Sequence, residues 1–192
     1  MSALLARLRR DHTAIRLFLQ ALEAKGAALD QGEAVDYAQV RDLTANLRSA
    51  GANHHPCEHS VLALLQVRAP QAAAKMADMP EDHERLDRER DAVDAAMGPT
   101  LVAERGAQTD AARDGALGRR VSAAIDDLVA DQRDHMAREE ADFFPAAERH
   151  LTLADWRLAE AFCARYPAAP HEHDEEDAAP KVRRGTNGAA GD

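Results

Sequence analysis

The chain has 192 residues, of which 45% are hydrophobic, with few glycines and prolines and a formal net charge of −10. That length suits one domain with a substantial core, and its wealth of alanine, leucine, glutamate and arginine over β-branched and aromatic residues favours helices. The acidic balance argues against nucleic acid and anionic membrane surfaces as partners, since both demand a basic face. With no apolar N-terminal segment and no run approaching 18 apolar residues, the expectation is a soluble, cytoplasmic protein.

Apolar residues at three- and four-residue spacing, Leu4, Leu5, Leu8, Ile15, Phe18, Leu19 and Leu22, predict a first amphipathic helix over about residues 2–29. Gly32 and its polar neighbours end it. A second helix follows over about residues 35–67, carrying Val40, Leu43, Leu47, Val61, Leu62 and Leu65. The third is expected over about residues 71–97 as one helix kinked at Pro80, with Gly98-Pro99 as its stop. Residues 98–115 form the longest connection. The fourth helix spans about residues 116–150, interrupted or bent near Pro145, and a short fifth begins at the N-cap Thr152 and stops at Pro167. The fold class is therefore all-α, an up-down-up-down four-helix bundle with a short C-terminal fifth helix, in one domain over residues 1–166. Residues 167–192 have the composition of a disordered tail. The two cysteines, Cys57 and Cys163, are too few for a disulfide framework and fit a reducing compartment, each as a small buried or half-buried apolar residue.

One pattern occurs twice. Asp11-His12 precedes His54-xxx-Glu58, and Asp82-His83 precedes His135-xxx-Glu139. A histidine and a glutamate four residues apart share a helix face, with Cβ atoms about 6 Å apart. Counting outward from the turns, His12 is 17 residues before Leu29 and His54 is 19 after Val35. The same count for Glu58, His83 and His135 gives mismatches of roughly 3 to 8 Å at 1.5 Å per residue, so all six side chains fall near one level of the bundle. A single HxxxE pair would more often be a surface contact, and His171 with Glu175 repeats the spacing inside the tail. Two repeats at one level point to two metal ions.

Mixed nitrogen and oxygen donors suit iron, manganese or zinc rather than calcium or magnesium. Carboxylates bridge, so Glu58 and Glu139 are the expected bridges, with His12, His54, His83 and His135 as terminal ligands. Water, hydroxide, an oxo group or a small diatomic ligand must complete the coordination. His55 and His59 form a second pair about 100° round the second helix, as supporting or additional ligands. Asp87 is a seventh ligand or a hydrogen-bond acceptor for an imidazole. Asp11 and Asp82, one residue from their histidines, are expected to point elsewhere and be solvated. The tail motif His171-Glu172-His173 is expected to be solvated as well.

No histidine here has a glutamate three residues before it, which separates the chain from ferritin-type di-iron bundles. Arg10-Asp11-His12, His54-His55-Pro56-Cys57-Glu58, Glu81-Asp82-His83 and His135-Met136-Ala137-Arg138-Glu139-Glu140 with Phe144-Pro145 resemble the hemerythrin-like, or HHE cation-binding, family over about residues 1–165. The resemblance implies a four-helix bundle holding two iron ions, in preference to manganese or zinc, with roles in binding or sensing oxygen or in handling peroxide or nitric oxide. The oxygen carriers of that family have a second histidine four residues after the first in helix 3, where this chain has Asp87. In helix 4 they place an aspartate five residues after the histidine, where this chain has Glu140 and offers Glu139 at four. More carboxylate and less imidazole points to turnover or sensing rather than reversible carriage. A catalase-like activity is compatible with this site. Two other readings stand beside it: an iron storage or sensor module without catalysis, and a degenerate bundle acting through protein–protein contacts.

Overall fold

A computed structural model of the chain describes residues 2–98 and 115–167. The described residues form helices α1 (Ala3–Asp30), α2 (Tyr37–Arg68), α3 (Pro70–Ala73), α4 (Met79–Met97), α5 (Gly115–Arg138), α6 (Phe144–His150) and α7 (Leu153–Cys163). A 3₁₀ turn, Ala74–Met76, lies between α3 and α4, and a π-helical segment, Glu139–Phe143, joins α5 to α6. No strand occurs among the described residues. The 99–114 connection and the tail from residue 168, with its histidine motif, lie outside them.

The helix ends follow local chemistry. Ser2 caps α1 by accepting from the Leu5 amide, and Asp36 caps α2 by accepting from Ala38. Gly32, at φ 72°, closes α1, with its own amide bonding Leu29 and that of Glu33 bonding Ala28, the bond pair of a Schellman turn. Thr152 and Asp155 form a reciprocal capping box at the start of α7.

Helix α1 packs on α2 and α5, and α4 packs on the same two, closing a four-helix ring. Cross-helix partners fix every neighbour as antiparallel. Lys25 meets Gln39 while His12 meets His54, and Thr44 meets Asp94 while His59 meets His83. Arg85 meets Asp131 and Arg138 meets Asp78; Glu23 meets Arg133 and Arg16 meets Glu140. This is the up-down-up-down bundle expected from the sequence, with α7 as the short fifth helix.

Two details depart from expectation, and a third, the interruption near Pro145, takes a specific form. Helix α4 begins at Met79 instead of running kinked from residue 71, with Pro80 in its first turn. A first-turn proline forfeits no intrahelical bond, whereas an interior one does, so the chain breaks before Pro80 rather than bending through it. The irregularity in the fourth helix precedes Pro145 as a π-turn, in which the Phe144 amide bonds Glu139 O, five residues back. Pro145 lacks the amide that Ala141 would otherwise receive, and the wider turn absorbs the defect. Finally, Cys57 and Cys163 are buried as expected but are bonded to each other: α7 folds back on α2 and brings their Cα atoms to 5.4 Å.

The interior holds two apolar bodies. One gathers Ile15, Leu19, Leu47, Leu86, Val93, Ile125 and Leu128; the other gathers Leu5, Leu8, Val61, Leu65, Met79, Phe143, Phe144 and Trp156. Helices α1, α2 and α4 pass from one body to the other, the fourth side of the ring does so through the π-segment and α6, and the four histidines and two glutamates occupy the level between.

Candidate metal centre

Six side chains converge at that level. His12, His54, Glu58 and Glu139 form one buried group, and Glu58, His83, His135 and Glu139 form a second, each offering ligand atoms within 4.8 Å of one another. Both glutamates belong to both groups. The imidazoles turn their Nε2 atoms inward, His12 to His54 at 3.1 Å and His83 to His135 at 3.0 Å. Within each HxxxE pair, Nε2 lies 2.8 Å from the carboxylate for His54–Glu58 and 3.0 Å for His135–Glu139. Across helices, His12 reaches Glu139 at 3.3 Å and His83 reaches Glu58 at 3.5 Å.

The electrostatics of this layer call for a cation. Glu58 and Glu139 are fully buried, and none of their four carboxylate oxygens has a hydrogen-bond donor correctly directed at it, despite the short imidazole distances. A buried carboxylate left in this state costs several kcal/mol, and two together also repel. Without a metal, protons substitute. Burial works against protonation of His12, His54 and His83, but the adjoining carboxylates of Glu139 and Glu58 and, for His54, Asp11 outweigh it, raising them to about 9, 10 and 9. Burial and the Glu58 charge favour the neutral form of Glu139, yet its three imidazole partners hold it down at about 2. Glu58 is likewise driven well below the usual carboxylate range, His54 and His12 overcoming its burial. Hard carboxylate and borderline imidazole donors, converging in one buried layer, fit divalent transition-metal ions.

Three of the four outward nitrogens are also held. His12 Nδ1 lies 2.8 Å from Glu140, whose carboxylate also accepts from Arg16 at 2.6 Å. His54 Nδ1 lies 3.3 Å from Asp11. His83 Nδ1 lies 2.9 Å from His59 Nε2. His135 Nδ1 faces Asp82 at 3.9 Å, too far for a hydrogen bond, while Asp82 is gripped by Arg138 at 2.7 Å and Arg85 at 2.8 Å. Fixing the outer nitrogen sets the tautomer that leaves Nε2 free for a metal.

This corrects the expectation that Asp11 and Asp82 are solvated: they are 1% and 3% exposed. About 100° of rotation from an inward histidine points a side chain at the neighbouring helix, and on α1 and α4 that neighbour is the helix bearing the HxxxE pair. Glu139 and Glu140 separate in the same way, the first turned into the centre and the second to its edge at His12. His55 joins neither group. Its ring stacks on His83 at 3.7 Å, and burial keeps it neutral, its pKa pushed well below the usual histidine value. Gly51 makes that stack possible, since a Cβ there would lie 2.9 Å from His55 Cε1. Asp87 lies outside both groups and is paired with the buried guanidinium of Arg90, which sequence reasoning did not single out.

A four-helix bundle whose mid-level carries converging imidazoles and carboxylates in place of apolar side chains defines a cation-binding protein. Residues 3–147 match the hemerythrin HHE cation binding domain, and the chain belongs to that family. Among curated proteins and among solved structures, none matches it. No described helix is long and apolar enough to cross a membrane.

Proposed function

We propose that the chain binds two iron ions between its two half-sites and uses them to bind or sense oxygen, or to handle peroxide or nitric oxide. One ion would take His12 and His54, the other His83 and His135, with Glu58 and Glu139 shared. The observation that carries this reading is the overlap of the two buried groups on both glutamates, whose oxygens lack any other donor. Two imidazoles and two shared carboxylates leave each ion short of a full octahedral set, so water, hydroxide or a small ligand completes it. An iron pair supplies redox capacity and open positions for a small ligand. The chain's own residues hold His12, His54 and His83 by their outer nitrogens, keep both carboxylates ionised, and flank the layer with an apolar body on either side. Among the described residues His55 is the one buried imidazole in the layer outside the ligand set, which favours ligand binding and redox chemistry over elaborate substrate turnover.

Elemental analysis of protein from iron-replete cells tests the reading. Close to two irons per chain is the expected result. A metal-free chain with intact helices overturns it.

A further inference from the structure

The centre is walled unequally. Between α2 and α4 a cavity of about 570 Å³ reaches from exposed Ala52, His59, Glu84 and Asp87 at its rim to His55 and His83 inside. Between α1 and α5, a smaller cavity of about 240 Å³ is lined by Arg16, Gln20, Arg133, Met136, Ala137 and Glu140 and touches none of the six converging side chains. There the Arg16–Glu140 pair covers His12, and the Phe144 ring stands 5.2 Å from it. On the α4 side the residue one turn beyond His83 is Asp87, which is drawn aside by Arg90. The buried Arg90 guanidinium sits beside Gly51, and the cavity stays open to His83.

We propose that ligands reach the centre through the α2–α4 cavity, pass His55, and bind at the metal held by His83 and His135 rather than the one held by His12 and His54. The inference rests on the dinuclear reading above. The cavity's charge selects the ligand class. Glu84, Asp87 and Asp91 line it against Arg48, with Arg90 behind Gly51, leaving one net negative charge. An anion gains nothing from that balance, while a small uncharged molecule such as nitric oxide, dioxygen or hydrogen peroxide is admitted. The volume, worth several waters at about 30 Å³ each, accommodates such a ligand without rearrangement.

The test is the association rate of nitric oxide with the reduced, iron-loaded full-length chain, followed by stopped-flow absorbance, with iron content measured on the same samples. Ala52 and Ala137 are both exposed and stand on opposite sides of the centre, so tryptophan at either tests one route. Ala52→Trp is expected to slow association at least tenfold and Ala52→Leu by less, while Ala137→Trp stays within twofold of the parent. Raising ionic strength is expected to leave the parent rate unchanged. Equal rates in all variants, or slowing by Ala137→Trp alone, with iron present, overturns the route and leaves the dinuclear reading standing. Absence of iron from the parent protein overturns both.

Discussion

Asp11 stands one residue before His12 but serves His54, its Oδ2 lying 3.3 Å from His54 Nδ1 across the α1–α2 boundary. Asp82 faces His135 in the same sense across the α4–α5 boundary. At the first boundary, the helix that supplies one imidazole thus steadies the imidazole of its neighbour. Asp11→Asn, which keeps the shape but loses the charge, is expected to weaken metal binding roughly 10- to 100-fold, the usual cost of losing a partner that orients a ligand. Competition with a chromogenic chelator reads this directly; an unchanged affinity would show that Asp11 has no hold on His54.

The two adjacent glutamates of the π-turn have separate tasks. Glu139→Gln is expected to lose metal from both half-sites, because Glu139 belongs to both groups. Glu140→Gln should retain both ions while altering the surroundings of His12, its hydrogen-bond partner. Metal content per chain for the two variants settles the assignment, and the reverse pattern would make Glu140 the bridge.

The metal-free and metal-loaded proteins should respond to pH in opposite directions. Folded His12, His54 and His83 bind protons more tightly than their ordinary value of 6.5. Stability from those protons is complete below about pH 6.5 and is lost as pH rises through about 9 to 10. The depressed carboxyl of Glu139 contributes above about 4.5, and that contribution fades toward its folded value of about 2. Metal-free protein is thus expected to melt highest near pH 5 to 6.5, with Tm falling toward pH 10. Bound metal competes with the same protons, so loaded protein should lose its metal, and its Tm, on acidification. Melting curves at about pH 6 and 10, with and without metal, check both arms; a flat metal-free Tm counts against the proton-loaded layer.

The Cys57–Cys163 bond closes 106 residues of sequence and ties α7 to the segment of α2 that carries Glu58. Cys163→Ser is expected to cost about 2–4 kcal/mol of unfolding free energy, measured as a lower denaturant midpoint under non-reducing conditions. Intact-mass analysis should show the parent two hydrogens lighter than its reduced form. Detection of two free thiols in the native protein would remove this prediction.

Most of the architecture could be read from the chain because helix periodicity is local: the apolar spacing placed the long helices within a few residues, the start of α4 excepted, and the two HxxxE pairs lie on single helical segments. The family resemblance rested on those same residues and holds. What escaped depends on neighbours distant in sequence. Burial of Asp11 and Asp82 requires knowing which helix packs beside α1 and α4, since adjacency to a histidine says only that the side chain points elsewhere. The Cys57–Cys163 bond requires the fold-back of α7, which no spacing reveals. Pro80 was compatible with a kink or a start, and the short α3 and 3₁₀ turn supply the length that decides for a start.

The two apolar bodies share no buried side chain among the described residues, and the layer between them coheres largely through charge and ring contacts. Removing the ions therefore does more than empty a pocket. It takes the rivet from a waist at which four helices cross, and the loss of rigidity should concentrate there. Amide exchange around residues 54–58 and 135–139 ought to quicken on metal removal while Leu19 and Leu65, deep in either body, keep their protection. In such a molecule the reactive centre and the mechanical joint are one object, so whatever draws the metals out also slackens the frame that would receive them again.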